Sequence, residues 1–193
     1  MIRVRTGFVL LALLAAATAA AGDYSDTVAL FKNAGQSARF FKASYGYAVF
    51  PTIGKGGLVV GASHGKGRVY EQGHYIGDVS MTQVSVGFQA GGQAYSQIIF
   101  FEDKRALSEF TRGNFEFDAG VSAVAITAAA EASAGTTGVT GGASGGKKDA
   151  VTAGEWHKGM AVFTIVKGGA MYEASVAGQK FSYTPKSDKK DED

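Results

Sequence analysis

The sequence contains no cysteine. That excludes disulfides, thiolate metal sites and an acyl anchor on an N-terminal lipoprotein cysteine, so stability must come from an ordinary apolar core. Histidine is scarce too: His64, His74 and His157 are the only three. No two stand at the spacing that puts both on one helix face, so they read as turn or surface residues and no metal is expected. Net charge is also lacking. Taking Arg3 and Arg5 away with a leader leaves 17 basic against 17 acidic residues. A general basic surface for nucleic acid is therefore excluded. Nor is there a long hydrophobic run. Residues 7–21 are uncharged and mostly apolar, but 15 residues fall short of the roughly 20 that a spanning helix requires.

What is present at the start has the order of a secretory signal. Arg3 and Arg5 precede a short apolar segment, and small residues follow with Ala-x-Ala sites ending at Ala19 or Ala21. Charge stays behind, the apolar stretch enters the translocase, and slim residues fit the peptidase. The expectation is a signal peptide over 1–21 and an exported protein, periplasmic or extracellular and peripheral on a membrane. Residues 22–184 then form one domain, long enough to bury a core without covalent staples.

The pattern over 23–44 is helical: Val28, Phe31, Gly35, Ala38 and Phe41 recur at three- and four-residue steps. Ser25 or Asp23 caps its start, and Gly35 weakens its middle by about 1 kcal/mol relative to Ala. After Tyr45 the character changes. Residues 47–53, 58–64 and 68–71 are β-branched or aromatic runs punctuated by glycine. Val84, Val86, Phe88 and Ala90 alternate with Ser85, Gly87 and Gln89, the period of a half-buried strand. Residues 95–101 suit a strand covered on both faces. A short helix follows over 103–112, with Ala106, Leu107 and Phe110 turned inward and Gly113 closing it. Residues 119–134 alternate small side chains and lean to strand. The segment 135–150 has six glycines in sixteen residues and reads as a mobile loop. Strands resume over 160–166, 170–176 and 180–183, and 185–193 form a charged, disordered tail.

An internal echo organises these strands. AVFPTIGKGGLVVGAS (48–63) and AVFTIVKGGAMYEAS (161–175) agree at ten of fifteen positions once Pro51 is taken as an insertion. Both read as strand, Lys-Gly-Gly turn, strand, a hairpin signature. Two copies suggest related hairpins in one sheet or closed barrel, set about a pseudo-twofold.

No pattern carries catalytic chemistry. Gly142 to Gly146 fits Gly-x-Ser-x-Gly, but no strand feeds it and no helix leaves it. Gly141 to Lys148 nearly matches a phosphate-binding loop, except that Lys148 stands where a Ser or Thr should hold magnesium. The acid pairs Glu102/Asp103 and Glu116/Asp118 read as turn and cap residues rather than general acids and bases. The reading is a protein that is not an enzyme, with no catalytic residues and no cofactor.

At the hairpins the sequence resembles a known family. YAVFPTIGKGG (47–57), GKGRVYEQG, SMTQVSVGFQAGGQAYSQIIFFED, FTRGNFEF and GMAVFTIVKGGAMYEASVAGQKFSY are similar, in this order, to the bacterial branch of the SYLF-domain lipid-binding family. The resemblance covers 23–183 and implies phospholipid binding with a membrane surface as partner. Eukaryotic members use an N-terminal amphipathic helix for membrane contact. By that resemblance Lys32, Arg39 and Lys42 are candidate headgroup contacts, and Phe31, Phe40 and Phe41 are candidates for insertion. Actin, linked to eukaryotic members, has no meaning for an exported bacterial protein. The plainer reading of the same helix is a lid packed on the sheet.

The expected fold is α+β: an antiparallel, twisted, barrel-like sheet with the N-terminal amphipathic helix and a short second helix packed on it. The expected function is non-catalytic binding of phospholipid membranes in the cell envelope. The alternatives are an envelope interaction protein pairing through exposed hairpin edges, and a carrier holding one lipid inside a barrel. No particular protein partner is implied.

Overall fold

In the computed structural model, residues 24–57, 60–86, 91–118, 123–126, 155–168 and 176–187 are described. The leader, the glycine-rich segment 135–150 and the end of the tail lie outside them. Among the described residues the architecture is a single eight-stranded sheet with short helices on both faces. In chain order the elements are α1 (Tyr24–Asn33), α2 (Gly35–Ala38), α3 (Phe40–Ala43), β1 (Gly46–Gly57), β2 (Val60–Glu71), β3 (His74–Val86), β4 (Gly91–Phe101), α4 (Lys104–Phe110), β5 (Asn114–Glu116), β6 (Ala123–Ile126), β7 (Met160–Gly168) and β8 (Lys180–Pro185). Across the sheet they lie in the order β5-β8-β3-β2-β1-β4-β7-β6. All pairs are antiparallel except β6 with β7, which is parallel. The fold is α+β as expected, but the sheet is open: β5 and β6 are edges and do not meet.

The helical segment breaks into three pieces. The interruption is at Ala34, which is extended at φ −78° and ψ 115°, rather than at Gly35, where an added methyl would meet nothing. Ser37 Oγ donates to Phe31 O at 2.6 Å, satisfying a carbonyl left over at the end of α1. The break lets the chain bend while still laying Phe31, Ala34 and Phe40 on one side of the sheet. The second helix forms as its spacing predicts: Asp103 accepts a hydrogen bond from Ala106 N at 2.7 Å, an N-cap, and Ala106, Leu107 and Phe110 are buried.

Each face of the sheet buries its own cluster. On one, the α4 face, Phe110 meets Phe101, Phe181 and Phe115 at centroid separations of 4.9, 5.1 and 5.4 Å. On the other, the N-terminal face, Phe40 meets Phe100 at 5.6 Å and Phe163 at 5.0 Å. Because β4 is covered on both sides, residues 95–101 are buried without alternation, as a central strand between two helix layers requires.

Three strand-level expectations change. Lys55, Gly56 and Gly57 lie inside β1, paired with Ser63, Ala62 and Gly61, and Lys167 and Gly168 lie inside β7. Lys55-Gly56-Gly57 is thus a strand end rather than a turn, and residues 169–175, which hold Gly169 and most of the strand expected over 170–176, lie outside the described residues. Pro185, placed in the tail by sequence, pairs with Gly77 in β8. The alternation at Val84 runs in the opposite phase to the one expected: Met81 and Gln83 are buried and Val84 is 72 % exposed.

The echo acquires a geometry. The first strands of the two copies, β1 and β7, flank β4 and run parallel to each other. Val49 and Phe163 both pair with Ile98, and Ala48 and Val162 both pair with Ile99. Equivalent residues are one step out of register and therefore face opposite sides. Ala48 and Phe50 join the α4-face core, whereas Ala161 and Phe163 join the core under the N-terminal helices. A half-turn about β4 exchanges these two strands. Pro51, the inserted residue, falls where the register of β1 shifts against both neighbours. It has no N–H to give a ladder, so a bulge is where a central strand tolerates it.

Candidate membrane-contact surface

The candidate site is the helix layer over the N-terminal face, and the sheet decides which of its side chains reach solvent. Phe31 is fully buried and Phe40 is nearly so. Phe40 sits among Phe100, Phe163 and Trp156, and Phe41 is half-buried with its edge toward Phe100 at 4.8 Å. The aromatics proposed for insertion thus hold the layer to the sheet, and insertion by Phe31 or Phe40 would first require the layer to leave it.

The cations lie on the outer side. Lys32, Arg39 and Lys42 are exposed, as is Leu30 at 42 %. Lys32 Nζ stands 5.4 Å from the centre of the Phe41 ring and the Arg39 guanidinium 5.2 Å from that of Phe40. Each charged group lies over the face of an aromatic ring while the side chain as a whole stays exposed. Asp26 is the single acid between residues 24 and 45, so the layer is locally basic on a chain whose formal net charge is only +2.

A clamp that the sequence did not point to fixes the start of the layer. The Arg68 guanidinium from β2 lies 4.3 Å from the Tyr24 ring and 5.1 Å from the Tyr75 ring. Asp78, its register partner on β3, is 3.8 Å away. Burial pushes the Tyr24 hydroxyl up while Arg68 pulls it down. The pairing of β2 with β3 brings Arg68, Tyr75 and Asp78 together, and the docking of α1 adds Tyr24. The sequence signal was slight: an arginine two residues from Tyr70 in a strand preceding the Gln72-Gly73 turn.

The described residues contain no group of three His, Asp or Glu able to hold a metal, and no helix long and apolar enough to cross a membrane. The serine of the Gly-x-Ser-x-Gly segment lies outside them. The most polar buried feature, on the α4 face, is uncharged. Gln97 and Gln179 exchange hydrogen bonds of 2.9 and 3.1 Å, and Gln179 also donates to the Tyr95 hydroxyl at 3.3 Å.

Comparison with known proteins places this geometry in context. A family model described as Ysc84, Las17-binding protein actin regulator, matches residues 82–190. Beta cell expansion factor A from Aeromonas veronii is 27 % identical over 158 residues, which is 80 % of this chain and 51 % of that protein. The chain spans about half the length of that relative.

Proposed function

Starting from a chain that belongs to the Ysc84 (SYLF) family, we propose that it is an exported, non-catalytic protein that binds phospholipid membranes reversibly. The family is known for lipid binding. The observation that carries the reading here is the division of the N-terminal layer, with aromatic rings turned to the sheet and Lys32, Arg39, Lys42 and Leu30 turned to water. Each cation near an anionic bilayer contributes about 1 kcal/mol and acts only within about one Debye length. Three of them support loose, reversible attachment. The Las17 and actin of the family description belong to the protein so described, and an exported chain would meet neither.

Strand pairing with an envelope partner is a second reading, favoured by the open edges of the sheet. The described edges are only three and four residues long, which gives them few backbone groups to offer. A lipid held inside the domain is disfavoured because Phe50, Phe101, Phe110 and Phe181 fill the α4 face.

The test is flotation of the protein with vesicles of phosphatidylglycerol and phosphatidylcholine, beside a Lys32→Glu/Arg39→Glu/Lys42→Glu variant. These positions are exposed, so the variant should fold. Wild type is expected to float with anionic vesicles and the variant to lose at least tenfold in partition. Equal flotation of the two would remove this surface from the reading, and no flotation of either would remove membrane binding itself.

A further inference from the structure

The helix layer covers only part of its face. Toward the end of the sheet formed by the close of β1 and β3 and the start of β2 and β4, the same face is exposed, with no described helix over it. Register defines this region. Val84 pairs with Ala62, Ala62 with Gly56, and Gly56 with Gly92; one step inward, Thr82, His64, Gly54 and Ala94 form the next row. Val60 lies diagonally beside Val84 on the same side. Val60, Ala62, His64, Thr82, Val84, Gly54, Gly56 and Gly92 are all exposed. Three large apolar side chains are exposed among the described residues, and Val60 at 59 % and Val84 at 72 % are two of them.

The glycines of this region are not there for packing. A methyl built on Gly54 or Gly56 meets nothing within 4 Å, and on Gly92 only a carbonyl oxygen at 3.9 Å. On the α4 face the opposite holds: methyls on Gly65 and Gly67 would strike Ile53 and Phe50 at 2.6 Å. Glycine in an exposed strand sacrifices β propensity, and where no neighbour demands it, it leaves a flat floor that another surface can approach.

The border of the patch is basic. Lys66 is exposed on this face one row further in, opposite Thr52, and Lys167 Nζ donates to Thr52 Oγ1 at 3.1 Å. Residues 52–57, 60–66, 79–86 and 91–97 contain no acid. A flat apolar floor with a lysine border, on the face that also carries Lys32, Arg39 and Lys42, matches the layered chemistry of an anionic bilayer, with phosphate above hydrocarbon. A second copy fits it poorly. A two-fold contact through this patch would bring Lys66 and Lys167 toward their own counterparts without a compensating acid.

We propose that this bare end of the sheet, centred on Val60 and Val84, is a membrane-docking surface that seats in the interface of an anionic bilayer. The proposal rests on the membrane reading above and adds the element that enters the bilayer. The absence of cysteine permits a single probe. Val84→Cys labelled with an environment-sensitive fluorophore is mixed with phosphatidylglycerol vesicles, and Val60→Asp/Val84→Asp is compared with wild type in flotation after thermal melts confirm that it folds. The expected results are a blue shift of the probe and a loss of at least tenfold in partition, since each valine withdrawn from apolar surroundings accounts for about that factor. If wild type floats but the probe stays in water and the double variant floats equally, this inference is overturned while the membrane reading stands. If wild type fails to float, both fall. Self-association in sedimentation that is abolished by the double variant, with no blue shift on vesicles, would assign the patch to a second copy and overturn the proposal.

Discussion

The ring of Phe40 meets the indole of Trp156 edge-on, with centroids 5.0 Å apart. Trp156 is the sole tryptophan of the chain, and Phe40 is the anchor of the last helical piece, so one intrinsic fluorophore reports whether the N-terminal layer is docked. Truncating Phe40 to Ala is expected to cost about 3–5 kcal/mol. The tryptophan emission should shift to the red, read by denaturant titration and fluorescence. An unchanged emission with a small stability loss would mean that the layer is held elsewhere. The same emission, followed as vesicles are added, shows whether the layer stays on the sheet when the protein binds.

Two glycines in adjoining strands should respond oppositely to alanine. A methyl on Gly67 would lie 2.6 Å from the Phe50 ring and 2.8 Å from the Val49 carbonyl oxygen, which is backbone and cannot swing aside. Gly67→Ala is expected to destabilise by about 1–3 kcal/mol. Gly54→Ala meets open space and should be neutral or stabilising by up to about 1 kcal/mol. Thermal unfolding of the two variants decides this, and equal effects would place β1 and β2 in a different register.

Stability should fall at alkaline pH through Tyr95. Burial pushes its hydroxyl up to about 12, against an ordinary value of 10.0, while the nearby Gln179 and Ser63 side chains act to lower it. The raised value means that folding favours the neutral phenol. Its contribution is therefore complete below pH 10 and is lost as pH rises from there toward 12. Unfolding measured across that window should show a steeper decline in wild type than in Tyr95→Phe. Matching slopes would mean that the phenol is not buried as described.

Much of the fold could be read from residue order. The run 95–101 has no polar alternation because β4 lies between two helix layers. Ala106, Leu107 and Phe110 fall at helical spacing behind an aspartate cap. The matching positions up to Gly168 do fall in corresponding strands, β1 and β7. These features are local or periodic, and periodicity survives in one dimension.

The phase of Val84 did not survive, for a specific reason. Alternation tells that a strand has two faces but not which one is covered, and Gln83 is buried because it donates to Ala177 O at 2.9 Å from a segment far along the chain. The candidate site divides in the same way. Its residues were identifiable from the helix and the family resemblance, yet whether Phe31 and Phe40 point to water or to the sheet depends on Phe100 and Phe163, strands distant in sequence.

By itself, then, the sequence determined that the domain relies on an apolar core without staples, that it is β-rich with an amphipathic start, and that the strands opening the two echoed segments are related. Only the tertiary structure decided that a half-turn about β4 relates the first strands of the echo, that Phe31 and Phe40 are core residues, and that two valines lie exposed beside a lysine border. Composition and spacing constrain a chain along its length, whereas these outcomes arise from register between strands, where a shift of one residue turns every side chain to the opposite face.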